Sequence, residues 1–342
     1  MQFLDPPFTS LGPTHYSIPP VSLTPHRVLL LGSNGYVGSQ FLHELRARGH
    51  EVVAPRSREL NLTAFDAVIA ALREIRPAFV FNSAGYTGKP NVDACEADQA
   101  GTLLGNVILP QTVSQACASL GIPWGHVSSG CIFSGARLRQ EDGTLVTLKD
   151  LTEPSVRDWV RQHRDQVIGF TEQDTPNFSF RDGPCSFYSG TKALGEEAIA
   201  NAGQGYVWRL RIPFDNLDNP RNYLSKLRTY PKVYDNFNSI THRGDFARAC
   251  VDCWEKAIPW GTYNVTNPGF VSTAEVVDLL RKTIDPTREF QFWADNAEFY
   301  RQAARTPRSN CVMDSGKLLR AGVPIRSVAE ALEQSLSEWI PA

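Results

Sequence analysis

The sequence has almost no charge excess: 34 Lys+Arg against 36 Asp+Glu leave a formal net charge of −2 over 342 residues. Without a surplus of either sign nothing draws the chain as a whole to nucleic acid or to an anionic membrane surface, so an anionic ligand has to be held by a local site. It also lacks any apolar run near the roughly 18 residues of a membrane span, and residues 1–26 have neither the basic start nor the apolar stretch of a signal peptide. A zinc-type pair of Cys-x-x-Cys pairs is missing, and the seven cysteines, an odd number, read as reduced thiols of a cytoplasmic protein with no metal site. Internal repeats are absent. What is there, 42% hydrophobic and 20% charged residues, suffices for a sizeable core and excludes a disordered or fibrous chain.

Six prolines in residues 1–26 prevent regular structure and read as an arm. From Arg27 onward short apolar runs alternate with helical patterns: Arg27–Leu31 then Ser39–Arg48, Glu51–Ala54 then Thr63–Ile75, Ala78–Asn82 then Asp93–Ser119, and Pro123–Ser128. Runs that are apolar throughout suit parallel strands covered on both faces, so the expected fold is α/β, a doubly wound parallel Rossmann sheet. Gly205–Phe214 reads as a sixth strand and Gly261–Thr266 as a seventh. The expected organisation is an arm at 1–26 and a Rossmann domain at 27–215 with an insertion at about 134–168. A smaller C-terminal substrate-binding lobe takes 216–236 and 270–342, and 237–269 returns to the sheet. Within the insertion, Leu151–Arg161 reads as a helix with Thr152 as N-cap and Pro154 in its first turn.

The first strand runs into Gly32-Ser-Asn-Gly35-Tyr-Val-Gly38 and then a helix. Glycines so spaced permit a tight turn and let backbone N–H groups approach a pyrophosphate at the helix N-terminus. After the second strand, where an acidic residue would hold the ribose hydroxyl of NAD, stands Pro55-Arg56-Ser57-Arg58; guanidinium groups suit a 2′-phosphate, favouring NADPH over NADH. Tyr188-Ser-Gly-Thr-Lys192 puts a phenol and an ammonium on one helix face, where the ammonium is expected to lower the phenol pKa for proton exchange with a substrate oxygen. Ser128-Ser129 ends a strand upstream.

These motifs, with Asn82-Ser-Ala-Gly85, resemble the extended short-chain dehydrogenase/reductases. The strings Phe81–Glu96, Gly130-Cys-Ile-Phe133, Glu172–Phe178, Asn219-Pro-Arg-Asn222, Tyr263–Gly269 and Pro307-Arg-Ser-Asn310 are similar to the bifunctional UDP-4-keto-6-deoxyglucose 3,5-epimerase/4-reductases of nucleotide-rhamnose synthesis. The resemblance covers about residues 27–335; the arm and a segment between Phe133 and Gly169 that is about twenty residues longer than the family needs depart from it. It implies Tyr188 and Lys192 as the reductase pair, Ser129 beside the keto oxygen, and Cys131 and Lys226 as an epimerase acid/base pair. Cys131, two residues past Ser129, shares its face if the strand geometry persists; the bland reading is a buried core thiol, and for Lys226 a solvated helix lysine. Implied cofactor contacts are Gly32, Asn34, Gly35, Tyr36, Val37, Gly38, Arg56, Asn82, Ser83, Ala84, Gly85, Tyr188, Lys192 and Pro213. Implied substrate contacts are Thr87, Asn91, Asn222 and Arg308, the last with Arg305 suited to a pyrophosphate. The resemblance thus implies a homodimer acting on a UDP- or dTDP-4-keto-6-deoxyhexose. A 4-ketoreductase alone and a non-catalytic NADP-binding regulatory subunit remain the alternatives.

Overall fold

Val28, Leu29, Leu30 and Leu31 are each no more than 1% exposed, the mark of a strand covered on both faces. The computed structural model describes residues 24–201 and 203–342, so the expected arm lies outside the described residues but for its last three. The strands are β1 (Arg27–Leu31), β2 (Glu51–Val53), β3 (Phe79–Asn82), β4 (Trp124–Ser129), β5 (Ala136–Arg139), β6 (Leu145–Leu148), β7 (Val167–Ile168), β8 (Gly205–Leu210), β9 (Pro213–Phe214), β10 (Phe237–Asn238), β11 (Thr241–His242), β12 (Gly261–Asn264) and β13 (Val271–Ser272). Six of them form one parallel sheet in the order β12-β8-β4-β3-β1-β2. From β1 the chain first moves outward to β2 and then returns to β3 on the other side. The reversal opens a crevice at the carboxyl ends of β1 and β3, where ligands bind in such sheets.

Alternate strand residues divide between two cores. Val28 and Leu30 pack with Phe41, Trp208 and Phe246 on one face, Leu29 and Leu31 with Val68, Leu72, Val113 and Trp124 on the other. A third cluster joins Phe214, Leu224 and Leu227 to Val276, Leu280, Leu332 and Leu336, forming the smaller lobe. Its helices Thr273–Thr283 and Val328–Ser337 each begin with a capping box, Ser272/Glu275 and Ser327/Glu330.

The structure corrects several details. The six runs named as strands are the six strands of the central sheet, so those opening at Gly205 and Gly261 are its fifth and sixth and not a sixth and seventh. The stretch between β4 and β8 adds a separate antiparallel sheet of β6, β5 and β7. Gly205–Phe214 breaks after Leu210; β9 pairs instead with β11, and Ile212 between them turns to a φ of 38°. The pattern at Asp93–Ser119 is not one helix but Ala94–Ala97, Gln99–Leu103, a wider π-helical turn Leu104–Ile108, and Leu109–Leu120. Pro110 has no N–H to give back to the preceding turn, which accounts for the widening there. In the insertion the helix is Pro154–Gln162 with Glu153 at the N-cap, since Thr152 is held by Asp150, whose Oδ1 takes the Thr152 N–H at 2.8 Å. Among the described residues no helix is long and apolar enough to cross a membrane.

Candidate active site

The Gly32–Gly38 turn fills the crevice between β1 and β3. Gly32 has a φ of +80°, and a Cβ there would lie 2.6 Å from the Ala84 nitrogen; a Cβ on Gly38 would collide with the Gly32 carbonyl. The turn closes with Gly35 N–H on the Gly32 carbonyl at 3.0 Å, and the helix Gly38–Ala47 starts with no side-chain cap, its Ser39 N–H going to the Gly35 carbonyl at 2.9 Å and its Gln40 N–H to the Val37 carbonyl at 3.0 Å. Opposite, Ser83 Oγ donates to the Leu31 carbonyl at 2.8 Å, and the buried Asn82 pairs with His126 at 3.1 Å while accepting the Ala84 N–H at 3.0 Å. Tyr36 is pinned from beneath: its hydroxyl donates to Asp215 Oδ1 at 2.8 Å, Arg243 lies 4.3 Å from its ring centre, and Arg243 is ion-paired to Asp215. Asp215 directly follows β9, whose Pro213 pairs with Thr241 of β11. Arg56 and Arg58 stand exposed beyond β2.

Ser129 closes β4 and caps the short turn Gly130–Ile132, its Oγ accepting the Cys131 N–H at 3.2 Å. The strand geometry therefore does not persist to Cys131; the turn, not the strand pleat, brings it beside Ser129. Tyr188 and Lys192 lie on the helix Phe187–Ile199, started by the Ser186 cap, and Tyr188 packs on the cluster of Cys131, Ile132, Phe133 and Phe170. Burial pushes the Tyr188 phenol above its ordinary value and Cys131 adds to this, against a hydrogen bond with Ser129 and the Arg211 charge. The expected lowering by Lys192 is thus not found. Burial also drives the Lys192 ammonium, 5% exposed, below its ordinary value, with Cys131 and Glu196 restoring part of it. Burial raises the Cys131 thiol as well, opposed by hydrogen bonds to Ser129 and Ser189 and by Arg211 and Lys192.

Gly85 matters for Lys192: a Cβ there would stand 3.4 Å from Nζ and 3.3 Å from Asn106 Oδ1. Asn106, fully buried in the π-helical turn, clasps Tyr86 N–H and carbonyl at 3.0 and 2.9 Å and reaches Thr191 Oγ1 at 3.2 Å.

Lys226 sits half-buried on the helix Tyr223–Thr229, and burial, aided by Arg221, holds its ammonium below the usual lysine value. It is not the solvated lysine that its sequence surroundings suggest. Asn222 caps this helix: its Oδ1 accepts the Leu224 N–H at 3.0 Å and its amide donates to the Asp215 and Leu217 carbonyls, both at 2.8 Å. With 0% of its surface exposed, Asn222 holds the Lys226 helix against the Tyr36 anchor and offers no face to a ligand. Thr87 accepts from Arg221 at 3.0 Å, and Asn91 Oδ1 takes the Asp93 N–H at 2.8 Å. Arg308 is engaged by Asp93, and a cleft beside it is lined by Lys149, Asn177, Tyr300 and Asn310.

Residues 26–340 match the family described as RmlD substrate binding domain. The chain belongs to this family. A relative from Arabidopsis thaliana, named bifunctional dTDP-4-dehydrorhamnose 3,5-epimerase/dTDP-4-dehydrorhamnose reductase, is 32% identical over 89% of this chain and 90% of its own. A trifunctional UDP-glucose 4,6-dehydratase/3,5-epimerase/reductase of the same plant is 30% identical over 90% of this chain, which spans 41% of that longer protein. Among solved structures, the UDP-rhamnose synthase of Acanthamoeba polyphaga mimivirus has a TM-score of 0.76 at 24% identity, covering 92% of this chain and 100% of that one. A dTDP-4-dehydrorhamnose reductase from Bacillus anthracis, solved with NADP, has a TM-score of 0.70 at 19% identity, with 92% and 99% covered.

RmlD-family membership supports NADP(H)-dependent reduction of a nucleotide-linked 4-keto-6-deoxyhexose as the class of chemistry. Two solved structures of this fold were determined with a dinucleotide, the Bacillus anthracis reductase with NADP and a Thermus thermophilus UDP-glucose 4-epimerase with NAD. Sequence reasoning missed the Asp215–Arg243 anchor, Asn106 and Arg211. Asn106 alone left a trace, as a poor helix former inside an expected helix.

Proposed function

We propose that this chain inverts C3 and C5 of a UDP- or dTDP-4-keto-6-deoxyglucose and reduces C4, giving a nucleotide-L-rhamnose. The observation that carries the reading is the convergence of Ser129, Cys131, Tyr188 and Lys192 where β4 ends. The residues Gly32–Gly38, Tyr36, Ser83–Gly85 and Pro213 would hold NADPH, Arg56 meeting its 2′-phosphate. When bound, NADPH supplies the hydride that C4 receives.

A C4 ketone acidifies the hydrogens on C3 and C5, so a thiol and an amine at the ring can remove and return those protons. Cys131 and Lys226 are the pair proposed for this. The depressed ammonium of Lys226 suits a base working near neutral pH. Tyr188 and Ser129 hydrogen-bond the oxygen on C4 while charge develops there, and Tyr188 gives its proton to that oxygen in the reduction. Thr87, Asn91 and Arg308 border the sugar-nucleotide path in this reading, with Arg308 exchanging Asp93 for a pyrophosphate oxygen. Exposed Leu104, Ile108 and Leu194, at 49%, 38% and 36%, support a two-fold dimer through the segments Leu104–Leu120 and Phe187–Ile199, in a cytoplasmic enzyme.

One observation favours reduction without epimerisation: burial raises the Cys131 thiol, which makes thiolate scarce. Incubation with UDP- and dTDP-4-keto-6-deoxyglucose plus NADPH, with products identified by NMR, separates the readings. A rhamnosyl product is expected; a product reduced at C4 with C3 and C5 unchanged selects the reductase, and no product with either substrate overturns both.

A further inference from the structure

Two buried arginines, Arg209 near the end of β8 and Arg211 just past it, are treated differently by the fold. Arg209 is paired with Glu196 at 2.7 Å, its guanidinium 5.2 Å from the centre of the Phe133 ring. Arg211, 6% exposed, meets only neutral acceptors: Nη2 donates to Asn238 Oδ1 at 2.6 Å and to the Ser309 carbonyl at 2.5 Å, and Nε is buried without a hydrogen bond. A buried guanidinium without a carboxylate is costly. The next residue, the β-branched Ile212, is held at a φ of 38°, a conformation such side chains avoid.

The Arg211 stem lies against the turn that carries Cys131: its Cδ is 3.5 Å from where a Cβ on Gly130 would stand. Asn238 Oδ1, which holds the guanidinium, also takes the Cys311 N–H at 3.1 Å, and the Cys311 thiol donates to the Gly130 carbonyl at 3.3 Å. One network therefore ties Arg211 to the reacting turn. The titratable groups facing Cys131 are Tyr188 and Lys192 from the helix Phe187–Ile199, Arg211, and the thiols of Cys95, Cys185 and Cys311. Of the two cations, Lys192 is driven toward neutrality by burial, whereas a guanidinium keeps its proton.

We propose that Arg211 is a positioning residue whose fixed, buried charge is the counter-charge for the anions that form at Cys131 and Tyr188 as protons move. The proposal rests on the reading of Cys131 as an acid/base group. Its effect is on the neighbours' ionisation, since its charge pulls down Cys131, Tyr188 and Cys311 against the burial that raises each.

The test is the pH titration of the Cys131 thiolate, read as the ultraviolet absorbance difference between each protein and its Cys131→Ser counterpart. NADPH binding serves as the check of folding. Arg211→Met should move the midpoint up by about one unit, a tenfold loss of thiolate at a given pH below it, and lower kcat for solvent proton exchange about tenfold with KM little changed. Arg211→Lys should stay near the wild-type midpoint. A Met variant that binds NADPH normally and titrates as wild type overturns the proposal. If the Met variant does not fold, the Lys variant decides: a wild-type midpoint supports the charge role, and a tenfold loss of thiolate despite the retained charge overturns it. Exchange absent from the wild type overturns the Cys131 assignment alone, because the titration reads Arg211 directly.

Discussion

Arg308 and Asp93 meet as a two-point ion pair, Nη1 to Oδ1 and Nη2 to Oδ2, both at 2.7 Å. Asp93 belongs to the segment after β3 and Arg308 to the smaller lobe, so the pair ties the lobe to the sheet. Burial pushes the Asp93 carboxyl up, but hydrogen bonds from Arg308 and Thr306 outweigh it and hold it below the usual value. A planar two-point contact, with side chains 20% and 16% exposed, should couple more strongly than a loose surface pair. In a double-mutant cycle of Asp93→Ala and Arg308→Ala, urea unfolding should show a coupling of about 1 kcal/mol. Additive effects would remove the pair from the account of how the lobe is held.

Tyr188→Phe keeps the ring that packs on Cys131 and removes the proton donor. The reduction rate should fall by about 10² to 10⁴, with the dissociation constant for NADPH little changed. Stopped-flow oxidation of NADPH and a fluorescence titration measure the two quantities, and an unaltered turnover number sinks the assigned role.

Arg56→Ala should weaken NADPH by about 1.5–3 kcal/mol, one charge-assisted hydrogen bond, and leave NADH where it was. Both affinities follow from cofactor titrations. Equal losses for the two cofactors, or none, would mean that another group meets the 2′-phosphate.

Acid stability should depend on Asp245, 1% exposed at the start of the helix Arg243–Glu255, which accepts from Arg326 Nε at 2.7 Å and from Asn267 Nδ2 at 2.8 Å. Burial favours its neutral form, yet the contacts with His242 and Arg326 hold its carboxyl well below the ordinary range. A depressed carboxylate contributes stability that is complete above its unfolded pKa of about 3.9 and is lost as pH falls toward the folded value. Asp245→Asn should therefore cost about 3 kcal/mol at pH near 7, and its deficit against wild type should shrink below pH about 4. A deficit that is the same at both pH values would contradict this.

The parallel sheet was legible because a strand covered on both faces leaves an unbroken apolar run, as at Val28–Leu31. The Gly32–Gly38 turn and the Tyr188/Lys192 spacing were legible for a similar reason: their geometry is set within a few residues. What the sequence hid depends on partners far along the chain. Tyr36 finds Asp215 across 179 residues, and Arg308 finds Asp93 across 215, so the guanidinium expected to be free for a ligand is engaged. Arg211 resembles its neighbour Arg209 in sequence, and only the fold gives one of them Glu196 and leaves the other without an acid. The direction of the Tyr188 shift was misjudged because spacing brings the ammonium near but says nothing of burial, which dominates both groups.

The central claim is that Cys131 and Lys226 move protons at C3 and C5 of the 4-keto sugar, and its most direct measurement is deuterium uptake in D₂O without NADPH. Each carbon must lose and regain its proton if the pair works, so wild-type protein should place deuterium at both carbons. Cys131→Ala and Lys226→Ala should each block uptake at one or both, while Tyr188 and Lys192 still reduce a ketone that is already epimerised. Full incorporation at both carbons in both alanine variants would contradict the account and return Cys131 to the core.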